Sequence, residues 1–66
     1  MLSARNQFKG VVKSVKLGGV MAEVVVAVGD LEIVSAITRT SAEALGLKPG
    51  DQVSAVIKST EVLIDK

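Results

Sequence analysis

From Val20 to Val28 the even positions Val20, Ala22, Val24, Val26 and Val28 form one apolar face, while Met21, Val25 and Ala27 make the other mostly apolar too. Two-sided patterning of this kind predicts a strand covered on both faces. Before it, Phe8, Val11, Val12 and Val15 alternate imperfectly with Lys9, Lys13 and Lys16 over Gln7 to Leu17, around Gly10. A glycine inside a strand pattern predicts a bulge or bend. Gly18-Gly19 and Gly29-Asp30 carry tight-turn signals, and Leu31, Ile33 and Ile37 continue the alternation as a third strand. Thr40-Ser41-Ala42-Glu43 fits a capping box, with Thr40 as the helix N-cap, and Gly46 is placed to end a very short helix. Val53, Ala55 and Ile57 then alternate as a fourth strand, with Val62 and Ile64 on a short fifth. Three strands, a short helix and two strands is the order of a small, all-β, five-stranded Greek-key barrel of the oligonucleotide/oligosaccharide-binding (OB) type.

Length restricts what this barrel can do alone. A chain of 66 residues forms one domain, residues 1–66, and buries only about 60% of the surface its unfolded form exposes. Cysteine and histidine are both absent, which removes disulfides, the usual zinc ligands and thiol or imidazole catalysis. With 48% hydrophobic residues, the expected source of extra stability is association with other copies. The longest apolar stretch, around Val24 to Val28, is far short of the ~20 residues of a membrane-spanning helix. Met1 is not followed by a basic and then an apolar secretion signal, so a cytoplasmic location is expected.

The net charge of +1 comes from interspersed charges, and Phe8 is the only aromatic residue. Nucleic-acid binders of this fold use a basic surface and several stacking aromatics, so that function is disfavoured and stays as the alternative, beside a purely structural oligomer. Glu23, Asp30, Glu32 and Asp51 form no evident catalytic pair, and no enzyme activity is expected.

The polar residues left for chemistry lie mainly at the two ends, in Ser3-Ala4-Arg5-Asn6-Gln7 and Lys58-Ser59-Thr60-Glu61. Most are hydrogen-bond donors suited to an oxygen-rich anion. Arg5 presents a planar fork that fits two oxygens of a tetrahedral anion, although a solvated arm is the ordinary state of a terminal arginine. Lys58 with Ser59 lies in a loop where solvation is equally ordinary. Thr38 and Ser41 flank the helix start, where such hydroxyls are commonly local caps. With Thr40 as N-cap, however, Ser41 would keep a free hydroxyl beside unpaired helix amides.

The segments SARNQFKG (Ser3 to Gly10), AEVVV (Ala22 to Val26), ITRTSAEALGLKPGD (Ile37 to Asp51) and AVIKSTEVLI (Ala55 to Ile64) resemble the molbindins. These are small Mop-type molybdate-binding proteins built from one TOBE domain. The resemblance spans nearly the whole chain and implies an OB-like barrel assembled as a homohexamer, a trimer of dimers, that binds molybdate or tungstate between subunits. It implies anion contacts from Ser3, Arg5, Lys58 and Ser59, joined by Thr38 and Ser41 of a neighbouring subunit, with Ala4 and Asn6 adding contacts. The metal is held only as its oxyanion, and no catalytic cofactor is implied. Molybdate is a bare tetrahedral dianion whose oxygens only accept hydrogen bonds, which matches a set of donors without carboxylates.

Overall fold

The computed structural model describes residues 6–66. Its strands are β1 (Asn6–Leu17), β2 (Met21–Val28), β3 (Leu31–Thr38) and β4 (Gln52–Ile57), with helix α1 (Arg39–Leu45) before β4 and a 3₁₀ turn (Ser59–Glu61) after it. All neighbours are antiparallel and the sheet order is β3-β2-β1-β4. A three-strand meander whose fourth strand returns beside the first is a Greek key. The fold is therefore the expected OB-like one, with four strands among the described residues where five were expected.

β1 serves two partners. Its first half, Asn6 to Val11, pairs with β4, and its second half, from Val11 onward, pairs with β2. Gly10 sits at this changeover, where an added Cβ would lie 2.4 Å from the Ala27 carbonyl oxygen and 2.9 Å from the side chains of Val26 and Val28. No residue with a side chain fits there without moving β2. The bulge expected at Gly10 lies instead between Val12 and Ser14, where the β1–β2 register slips. On the other side of β1 the Val12 backbone extends the β4 register into the helix–strand loop, its N–H donating to Asp51 O (2.9 Å) and its carbonyl accepting from Gly50 N (2.8 Å). Gly10 therefore marks a close approach between strands, and the bulge falls three residues further on.

Val12, Val24 and Val26 form the buried centre, with Val15, Val28, Ile37, Leu47 and Val53 packed against it. The outer face of β2 is only half covered: Met21 and Glu23 are exposed, and Val25 and Ala27 are intermediate. The expectation of cover on both faces thus fails among the described residues, none of whose elements crosses the outside of the sheet. The edge strands β3 and β4 face each other across an apolar groove of about 670 Å³, lined by Ile33 to Ile37 on one side and Val53 to Ile57 on the other. A fifth strand would fill this gap. Instead the chain turns away through the 3₁₀ turn, residues 62–66 are not in a strand, and Leu63 and Ile64 are 91% and 89% exposed. Val62 and Ile64 alternate as a strand should, but in the protomer they pair with neither edge strand.

Candidate functional site

The helix start is built differently from the capping box expected at Thr40. Thr38, the last residue of β3, is the N-cap, with φ −69° and ψ 148°. Its Oγ1 accepts the Ser41 backbone N–H (3.1 Å) and donates to Ser41 Oγ (2.8 Å). Thr38 therefore binds Ser41 through both backbone and side chain, leaving the Ser41 hydroxyl proton able to donate outward. Ser41 is the third helical residue, so the expectation of an unengaged hydroxyl beside open amides is corrected. Glu43 does not reach back to Thr40 and instead lies 3.5 Å from Arg39 Nε, one helical turn away. Gly46 ends the helix as expected, in the left-handed conformation (φ 62°), its N–H donating to Glu43 O and Ala42 O.

At the far end of β1 the ladder sets Asn6 opposite Ile57, next to Lys58. Lys58 opens the 3₁₀ turn and its carbonyl accepts Glu61 N–H at 2.9 Å, so Ser59 follows it in a closed turn. Lys58 and Glu61 stand at the mouth of the apolar groove. Among the described residues, no carboxylate forms an ion pair with Lys58. Ser3, Ala4 and Arg5 lie outside the described residues.

The candidate residues thus fall into two groups: Asn6, Lys58 and Ser59 at the start of β1, and Thr38 and Ser41 beyond its end. Thr38 pairs with Met21, just past the turn that follows Leu17. The eleven residue steps from Asn6 to Leu17 span roughly 36 Å of strand path at about 3.3 Å per residue, comparable with the 34 Å longest dimension of the molecule. No hydrogen bond of Thr38 or Ser41 reaches the Lys58 group. Strand register sets the two groups at opposite ends of β1.

Among the described residues no three His, Cys, Asp or Glu side chains cluster closely enough to hold a metal ion, and no helix is long and apolar enough to cross a membrane. Alternation alone did not reveal Arg39. Its backbone N–H donates to Val20 O (2.8 Å) and its Nη1 to Gly18 O (3.1 Å), tying the helix start to the β1–β2 turn.

The family model for the TOBE domain matches residues 2–64. The chain belongs to the TOBE domain family. Molybdenum-pterin-binding protein 3 of Clostridium pasteurianum is 52% identical over 64 residues, covering 96% of this chain and 94% of that protein. The molybdenum transport protein ModE of Azotobacter vinelandii is 44% identical over 63 residues, covering 94% of this chain and 23% of ModE, so the match is to part of a longer protein. Among solved structures, a molybdate-binding protein from Sporomusa ovata superposes with a TM-score of 0.95 at 41% identity, covering 100% of this chain and 98% of that one. The cytoplasmic molybdate-binding protein ModG superposes with a TM-score of 0.84 at 48% identity, covering 89% of this chain and 43% of that one.

Proposed function

We propose that this TOBE domain binds molybdate or tungstate between copies of itself, in the cytoplasm and without catalysis, as a store or buffer of the oxyanion. In this reading Ser3, Ala4, Arg5, Asn6, Lys58 and Ser59 of one protomer meet Thr38 and Ser41 of the next. The observation that carries it is the separation of the two donor groups at opposite ends of β1, which makes either group incomplete without a second chain. The names of the relatives, the two free sheet edges and the exposed Leu63 and Ile64 support it. The trimer-of-dimers hexamer is the assembly proposed.

The donor set selects the ligand. Arg5, Lys58 and the hydroxyls of Ser3, Ser41 and Ser59 offer protons to a dianion that has none, each charged hydrogen bond contributing about 1.5 to 3 kcal/mol net, while the Thr38 hydroxyl, which donates to Ser41 Oγ, orients the Ser41 donor. Monoprotonated phosphate would need an acceptor in the same place. Sulfate shares the charge and shape of molybdate but is smaller, and would leave donors unpaired at about 1 to 3 kcal/mol each. A pterin ring, which the names of some relatives mention, would call for aromatic stacking, and Phe8 is the one aromatic side chain in the sequence.

Calorimetric titration with molybdate, tungstate, sulfate and phosphate, with native mass spectrometry of the same samples, tests the proposal. Molybdate and tungstate are expected to bind alike, sulfate and phosphate at least tenfold more weakly, and only assemblies to carry the anion. Anion bound to single chains, or equal binding of all four, would overturn it.

A further inference from the structure

We infer that Arg39 is a positioning residue for the anion: it clamps the β1–β2 turn to the first turn of α1 and so holds the Thr38–Ser41 hydroxyl pair at its working angle. The inference rests on the reading above that the Ser41 hydroxyl, oriented by Thr38, donates to the oxyanion. Three contacts converge on Arg39. The backbone N–H bonds Val20 O at 2.8 Å, Nη1 bonds Gly18 O at 3.1 Å, and Nε lies 3.5 Å from the Glu43 carboxylate. Its neighbour Thr38 holds both the N–H and the hydroxyl of Ser41. A single short tether thus runs from the hairpin carbonyl through the Arg39 side chain to the residue between the two hydroxyls.

The side chain is needed because the helix is short. α1 has seven residues and only Ala42 among them is buried, so packing alone does little to fix its rotation on the sheet. The Gly18-Gly19 turn is also lightly held, with Gly18 N donating to Met21 O and nothing within 4 Å of a Cβ at Gly19. Arg39 joins these two weakly anchored elements. Two of its three contacts are made by the side chain, so truncation releases the clamp while the Val20 backbone bond keeps the strand–helix junction.

Molybdate calorimetry on Arg39→Ala, Ser41→Ala and the double variant tests this, with circular dichroism and native mass spectrometry to verify fold and assembly. Arg39→Ala is expected to weaken binding roughly threefold to tenfold, the loss typical of one displaced hydrogen bond. The double variant is expected to bind no more than about twofold worse than Ser41→Ala, because Arg39 acts through the hydroxyl that is already gone. Arg39→Lys, which can still donate to Gly18 O, is expected to restore affinity to within about twofold of the unaltered protein. Should Arg39→Ala fail to fold, Arg39→Gln takes its place in the same cycle. Losses that simply multiply in the double variant, or unaltered binding by Arg39→Ala beside a weakened Ser41→Ala, would overturn the positioning role and leave the site intact. Unaltered binding by both Ser41→Ala and Thr38→Val would remove the hydroxyl pair from the site, and the positioning role with it.

Discussion

Replacing Gly10 by Ala adds one methyl group where β1 changes partner, and the consequence can be worked out from the distances around it. The new Cβ would lie 2.4 Å from the carbonyl oxygen of Ala27 and 2.9 Å from side-chain carbons of both Val26 and Val28. An unstrained carbon–oxygen contact is closer to 3.3 Å, so about 1 Å of separation has to come from somewhere. The obstructing oxygen belongs to the backbone of β2, opposite Val11 in the ladder, so no rotamer change relieves it. The strands must part, with overpacking strain of about 1 to 3 kcal/mol and about 1 kcal/mol more for a weakened ladder bond. For a domain of this length each kcal/mol shifts the melting temperature by roughly 4 to 8 °C. A loss of at least about 10 °C is therefore expected in a thermal melt at fixed protomer concentration. Gly19→Ala is the control: open space surrounds that position and its φ is not positive, so it should melt within a few degrees of the unaltered protein or slightly above it. A Gly10→Ala protein melting within about 2 °C of the unaltered one would refute the claim that β1 and β2 touch too closely here for a side chain.

Ile64→Asp alters a residue 89% exposed in the protomer, so a lone chain would lose less than about 0.5 kcal/mol; native mass spectrometry is expected to show loss of assembly instead, and an unaltered oligomer distribution would place Ile64 outside the interface. Thr38→Val removes the N-cap and is expected to lower stability by about 1 kcal/mol, read as a melting shift without anion, together with weaker molybdate binding; a change in neither would contradict the cap geometry. The Lys13–Glu32 ion pair is exposed on both sides, at 60% and 50%, so Lys13→Ala is expected to change stability by less than about 1 kcal/mol in chemical denaturation.

Much of the sheet was legible because alternation reports burial directly: β1, β3 and β4 fall close to the expected segments, and the Gly18-Gly19 and Gly29-Asp30 signals lie between the strands they join. Errors arose where long-range geometry decides. Thr40 to Glu43 matches the capping-box pattern, yet Thr38 is the residue still in extended conformation when the chain enters the helix, and Glu43 is drawn to Arg39 instead. Val62 and Ile64 carry a strand pattern, but a pattern cannot say which sheet will receive it. The outer face of β2 is mostly apolar, yet the described residues of the protomer cover it only in part. In the candidate site, the residue types Thr38, Ser41, Lys58 and Ser59 could be read as donors, while their division between the two ends of β1 came only from strand register. Arg39 was hidden because its partners, Gly18 and Val20, are about twenty residues away and contribute only backbone carbonyls.

Complementation between two defective chains tests the shared site most directly. Ser41→Ala and Lys58→Ala proteins, each weak in molybdate binding alone, are unfolded together, refolded as mixed assemblies and titrated by calorimetry. If each site draws Thr38 and Ser41 from one protomer and Lys58 and Ser59 from its neighbour, random mixing leaves about a quarter of the interfaces with both halves intact, and that fraction of high-affinity sites should return. A site contained within one chain would recover none, and a mixture binding no better than its two components would contradict the account.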